Sequence, residues 1–159
     1  MSAALLSRYR WPPAAVPQRP LGLRPPWLQP LLVLAAQALI VAVALLLPRA
    51  AKPEVLLVSL VLAPWLEETL LRRGLQEALQ ARWPQAPAWR PVLACATVFA
   101  AAHVLLRPDL ASAATVLPAL LLGCVYRRWP ATAPCALLHS LFNLLWFAAV
   151  GPWLLSIVR

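Results

Sequence analysis

Residues 28–47 read LQPLLVLAAQALIVAVALLL, a run of 20 residues without a charged side chain. A helix rises about 1.5 Å per residue, so this run can cross the roughly 30 Å hydrocarbon core of a bilayer. Backbone polar groups find no water in that core, and a helix satisfies them within its own segment. The stretch therefore predicts a membrane-spanning helix and a chain that is solvated by lipid.

The composition of the whole chain agrees with this interpretation. Of the 159 residues, 62% are hydrophobic and 12% are charged, whereas soluble domains are about 45–50% apolar and about 25% charged. Further apolar segments follow the first, and Pro-rich and Arg-rich turns separate them. We therefore expect an all-α polytopic membrane bundle of about five transmembrane helices over residues 28–159, preceded by an Arg/Pro-rich tail over residues 1–27. The expected spans are about 28–47, 54–80, 91–106, 110–126, and 132 onward.

The formal net charge of +9 would suggest nucleic-acid binding in a soluble chain. Here the basic residues lie between the apolar segments instead of forming a stripe, as expected for residues that flank and orient membrane spans. With the N-terminus inside, eight basic residues fall on the inner side and four on the outer side, which favours a cytoplasmic N-terminus. Since 13 of the 14 basic residues are arginines, a GC-rich bacterial source and the bacterial inner membrane are expected. No nucleic-acid partner is expected.

Ionisable residues inside a bilayer are costly and indicate function. The first such group is Glu67-Glu68-Thr69-Leu70-Leu71-Arg72, embedded in an apolar segment. Glu68 and Arg72 are four residues apart with the acid first, the better order for an intrahelical ion pair. Glu67 lies about 100° further round the helix, beside a second carboxylate, and is the candidate for proton transfer.

Two further polar groups lie on later apolar segments. Phe99 and His103 share one helix face, and His139 and Asn143 share another, each pair being four residues apart. Such residues also occur as hydrogen-bonded packing contacts between helices. Counting residues along each span places the three groups at compatible depths in the bilayer, so we expect them to converge.

The order E-E-x-x-x-R, F-x-x-x-H and H-x-x-x-N, with each motif on its own apolar helix, resembles the CAAX protease and bacteriocin-processing family of intramembrane glutamic endopeptidases. The resemblance covers about residues 54–150. It implies peptide-bond hydrolysis, with Glu67 as the general base, His103 orienting the water, and His139 and Asn143 forming the oxyanion hole. The implied supporting residues are Glu68, Arg72 and Phe99.

Several alternatives remain at this stage. A glutamate with two histidines is chemically a possible zinc site, although the absence of an H-E-x-x-H motif favours a metal-free enzyme with no cofactor. A proton-coupled carrier or a small immunity-type membrane protein could use the same residues as a relay. The expected partner is a protein or peptide substrate in the lipid bilayer, and the resemblance leaves open a prenylated tail, a peptide leader or a C-terminal sorting helix.

Overall fold

The computed structural model describes residues 27–47 and 51–150, and all regular structure within them is helical. The predicted tail over residues 1–27 lies outside the described part except for Trp27, as do residues 151–159. Five helical elements follow one another, and each agrees with a predicted span to within a few residues. Their bounds are α1 Leu28–Leu45, α2 53–82, α3 Trp89–Leu106, α4 Leu110–Arg128 and α5 Thr132–Leu145, which continues as the wider turn Trp146–Val150.

Four of these helices are long and apolar enough to cross a membrane: α1, α3, α4 and α5. This confirms the all-α membrane bundle, with one difference from the expected five spans. Helix α2 is long, but its second half carries Glu67, Glu68, Arg72, Arg73 and Glu77. That charge lowers its hydropathy, so α2 does not qualify as a span by composition, and its charges need protein partners.

The outer surface of the bundle is largely apolar, and several polar side chains are buried inside it together with apolar ones. Large apolar side chains such as Leu32, Leu105 and Leu121 are exposed on the outer surface. Such a surface suits lipid, in which apolar side chains cost nothing to expose. The chain is an integral membrane protein. Its buried polar residues are Gln37, Glu68, Arg72, Gln76, Ser112, His139 and Ser140.

Three small apolar clusters hold the helices around α2. One joins α1 to the start of α2 and to α5, a second joins α3 to α4, and a third joins α4 to α5. Helix α2 contacts each of the other helices, and they bury Glu68 and Arg72 of its charged half, whereas Arg73 and Glu77 are exposed. The buried members of the clusters are Ile40, Ala44, Leu56 and Leu60; Ala96, Phe99 and Ala119; and Leu122, Tyr126 and Cys135.

Local signals account for the helix ends near the polar surfaces. Pro53 occupies the first turn of α2, where its missing N–H is not needed. Asp109 caps α4 by accepting a 2.6 Å hydrogen bond from the backbone N–H of Ser112. This hydrogen bond lowers the pKa of the exposed Asp109 carboxyl.

Gly123 allows α4 to approach α2 and α3 closely. A Cβ at this position would lie 2.7 Å from Cγ1 of Val92 and 3.1 Å from Nη1 of Arg72. Gly74, by contrast, would place a Cβ no closer than 3.7 Å to the carbonyl oxygen of Thr69. The two glycines therefore differ in what an added methyl group would meet.

We predict that Gly123→Ala lowers the melting temperature of the detergent-solubilised protein, because overpacking typically costs about 1–3 kcal/mol. Gly74→Ala is the matched control and should leave it unchanged or raise it, since alanine favours helix over glycine by about 1 kcal/mol. Equal melting temperatures for the two variants would contradict the close packing at Gly123.

Candidate active site

The polar groups of three helices meet in the middle of the bundle. His139 of α5 lies between the two adjacent glutamates of α2: its Nδ1 is 3.0 Å from Oε1 of Glu68, and its Nε2 is 3.5 Å from Oε2 of Glu67. The rings of Phe99 and His139 pack edge to face with centroids 5.8 Å apart. The predicted convergence of the three motifs is therefore found in the structure.

Glu68 and Arg72 form the ion pair that the sequence spacing predicts. Nε of Arg72 donates to Oε2 of Glu68 at 2.8 Å, and both side chains are fully buried. Because the second carboxylate oxygen of Glu68 contacts His139, both of its oxygens are engaged. The Glu68 charge is thus compensated by a guanidinium within one helical turn.

Arg72 also ties α2 to α4. Its Nη2 donates to the carbonyl oxygen of Ala119 at 3.0 Å, and its Nη1 donates to Oε1 of Gln76 at 3.3 Å. Gln76 in turn donates to the carbonyl oxygen of Gly123 at 3.1 Å. Gln76 was not singled out from the sequence; the available signal was its position four residues after Arg72, on the same helix face.

Glu67 differs from Glu68 in its surroundings. The Glu67 side chain is 32% exposed, whereas that of Glu68 is fully buried. The contact between Glu67 and His139 is long, at 3.5 Å. Glu67 is therefore the carboxylate of the pair that a water molecule or a substrate can reach.

His103 lies on α3 and stacks against its own motif partner. The ring centroids of Phe99 and His103 are 4.2 Å apart, and Nδ1 of His103 is 3.0 Å from the carbonyl oxygen of Phe99. A carbonyl oxygen only accepts hydrogen bonds, so Nδ1 carries the proton. In the neutral ring, Nε2 is then an acceptor, which suits a nitrogen that holds a water molecule.

Asn143 lies one turn after His139 on α5, where its amide makes a helix-to-helix contact. Its Nδ2 donates to the carbonyl oxygen of Ser59 at 2.7 Å. The sequence predicted His139 and Asn143 as joint donors to one oxygen, whereas in the structure each also holds a group of α2. An amide nitrogen carries two N–H groups, so Asn143 retains a second donor.

Within a bundle that has four candidate membrane spans, glutamate and histidine side chains thus meet around a partly exposed carboxylate. A family model described as Type II CAAX prenyl endopeptidase Rce1-like matches residues 49–145, more than half of the chain. The chain belongs to this family, and it is a peptidase that acts on membrane-associated proteins. This membership favours the peptidase over the carrier and immunity-type alternatives. No curated protein and no solved structure matches the chain.

We predict that the Glu68–Arg72 pair is energetically coupled. Removing one member of a buried ion pair typically costs about 3–5 kcal/mol, because an uncompensated charge remains. Glu68→Gln and Arg72→Gln should therefore each lower the melting temperature strongly, and the double variant should recover much of the loss. Arg73→Gln removes the same charge from an exposed neighbouring position and is the control.

A double-mutant cycle on melting temperature in detergent measures this coupling. Additive losses would show that Arg72 is not the counter-ion of Glu68.

Proposed function

We propose that this enzyme hydrolyses a peptide bond near the C-terminal tail or the leader of a membrane-associated protein, by means of water activated by Glu67. The observation that carries the proposal is the contrast between the two glutamates. Glu68 is buried with both oxygens engaged, while Glu67 is partly exposed and faces His139 across 3.5 Å. A general base must be within reach of the water that it deprotonates, and Glu67 meets that requirement.

In this mechanism, His103 and Glu67 hold the attacking water together. The Nε2 of His103 accepts a hydrogen bond from one O–H of the water, because the proton of the ring lies on Nδ1, which donates to the Phe99 carbonyl. Glu67 takes the other proton as the water oxygen attacks the scissile carbonyl. It later returns that proton to the leaving nitrogen, so one carboxyl group acts as both base and acid.

The oxyanion is stabilised from α5. For this role both ring nitrogens of His139 must carry a proton, because Nδ1 donates to Glu68 and Nε2 must donate to the oxyanion. The second amide N–H of Asn143 lies one helical turn away. Two such donors in a water-poor site stabilise the developing charge of a tetrahedral intermediate. Glu68 and Arg72 act by positioning: they hold Nδ1 of His139 and thereby aim Nε2 at the reaction centre.

We propose that the reaction needs no metal. Among residues 27–47 and 51–150, no group of three or more His, Cys, Asp or Glu side chains is arranged to hold a metal ion. No step of the proposed mechanism depends on zinc.

For location, we propose the bacterial inner membrane with the N-terminus in the cytoplasm. If α2 crosses the membrane together with the four apolar spans, the α2–α3 and α4–α5 connections share one side, and they carry most of the basic residues near the described helix ends. The opposite side carries Lys52 and Arg107. The basic residues on the proposed cytoplasmic side are Arg82, Arg90, Arg127 and Arg128.

A panel of three fluorescence-quenched peptides in detergent micelles tests the substrate class: a farnesylated peptide ending in a CAAX motif, a peptide leader, and an apolar C-terminal helix followed by a basic cluster. The family description favours the first peptide, and a bacterial membrane favours the others. Cleavage of one peptide well above the others assigns the class.

We predict that Glu67→Gln abolishes cleavage of the best panel peptide without lowering the melting temperature, because the amide cannot accept the proton of the water. Glu54→Gln, an exposed position on the same helix, is the control and should retain full activity. Asn143→Ala should lose about 10²–10³ in rate, the usual cost of one oxyanion donor. Full turnover by Glu67→Gln would overturn the proposed function.

A further inference from the structure

Pro64 removes one backbone N–H to which the carbonyls of the preceding turn of α2 would otherwise bond. A proline has no N–H, so residue 64 cannot donate to the carbonyl of Leu60, four positions back. Just before it the helix widens: the N–H of Ala63 bonds to the carbonyl of Val58, five positions back. In that wider register the carbonyl of Ser59 would also need the missing N–H of residue 64.

Two neighbouring side chains of α5 satisfy these carbonyls. Oγ of Ser140 donates to the carbonyl oxygen of Leu60 at 2.6 Å, and Nδ2 of Asn143 donates to that of Ser59 at 2.7 Å. The hydroxyl also lies 2.8 Å from the carbonyl oxygen of Ala136 in its own helix, the local bond that serine commonly makes in helices. The shorter contact is the one between helices.

Gln37 of α1 fixes the orientation of this hydroxyl. Its Nε2 donates to Oγ of Ser140 at 2.8 Å, while its Oε1 accepts from Nε1 of Trp65 at 2.8 Å. Gln37 and Ser140 are both fully buried. Because Oγ accepts from Gln37, its single proton is directed toward a carbonyl oxygen, and Trp65 links the network to the segment that leads to Glu67.

We propose that Ser140, held by Gln37, is a positioning residue that sets the register of α5 against α2 and thereby places His139 between Glu67 and Glu68. The inference rests on the proposed roles of Glu67 and His139. A shift of α5 by one residue would move His139 about 1.5 Å along the helix axis. That shift is enough to break the 3.0 Å contact between Nδ1 of His139 and Glu68.

The proposal predicts a specific kinetic signature for Ser140→Ala. Misplacement of a reacting group by about 1 Å can cost up to about 10²-fold in rate, so kcat should fall about tenfold or more. KM should change little, because Ser140 is buried and does not meet the substrate. Ser140→Thr keeps the hydroxyl and should recover part of kcat.

Thr97→Val is the matched control. The hydroxyl of Thr97 bonds to the carbonyl of Leu93 in its own helix at 3.0 Å and is exposed, so its loss should leave both kcat and the melting temperature unchanged.

The decisive experiment is a double-mutant cycle with Pro64→Ala, assayed with the panel peptide that the unchanged enzyme cleaves fastest. Pro64→Ala supplies the missing backbone N–H, which can bond to the carbonyl of Leu60. In the Pro64→Ala background, Ser140→Ala should lower kcat by about threefold or less. This loss should be well below the loss that Ser140→Ala causes when Pro64 is present, because the two residues act on the same carbonyl and their effects are coupled. Melting temperatures measured in parallel should show the same reduction.

Equal losses of kcat in the two backgrounds would overturn the proposal, as would Ser140→Thr being as impaired as Ser140→Ala. If Ser140→Ala accumulates in neither background, the hydroxyl is needed for folding independently of the Leu60 carbonyl, and the proposal also fails. Glu67→Gln separates this failure from that of the proposed function. If Glu67→Gln is inactive while Ser140→Ala keeps full kcat, the catalytic role of Glu67 stands and the positioning role of Ser140 does not.

Discussion

The buried ion pair between Glu68 and Arg72 is the interaction on which the rest of the site depends. Both side chains are removed from solvent, and their atoms meet at 2.8 Å. A buried carboxylate is tolerable when a counter-charge and hydrogen bonds compensate it. Arg72 supplies the counter-charge, and its other two nitrogens donate hydrogen bonds to Gln76 and to the carbonyl of Ala119. Glu68 can therefore hold His139, leaving Glu67 as the reachable carboxylate.

The same requirement shapes the bundle as a whole. Within the described residues, no buried side-chain nitrogen or oxygen lacks a hydrogen-bond partner. Several of the partners are backbone carbonyls: those of Ser59 and Leu60 in α2, and those of Ala119 and Gly123 in α4. In a chain with an apolar exterior, polar contacts give each helix pair a defined register, because lipid-facing leucines do not distinguish one register from the next.

Much of this structure could be predicted from the sequence, since the features involved are local. The lengths of apolar runs predicted the helices, and four-residue spacing predicted the Glu68–Arg72 pair. The tertiary contacts were not predictable in the same way. The bridge from His139 to both glutamates and the contact of Asn143 with Ser59 join positions about 70–85 residues apart. The contact of Gln37 with Ser140 also joins distant helices, and neither residue was singled out from the sequence.

The central claim is that paired glutamates and histidines activate water without a metal. The most direct test is to treat the detergent-purified enzyme with a chelator, measure its metal content by mass spectrometry, and assay the same sample for peptide cleavage. The account predicts the full cleavage rate with zinc far below one atom per molecule. Loss of cleavage on chelation, with recovery on adding zinc and a content approaching one atom per molecule, would contradict it.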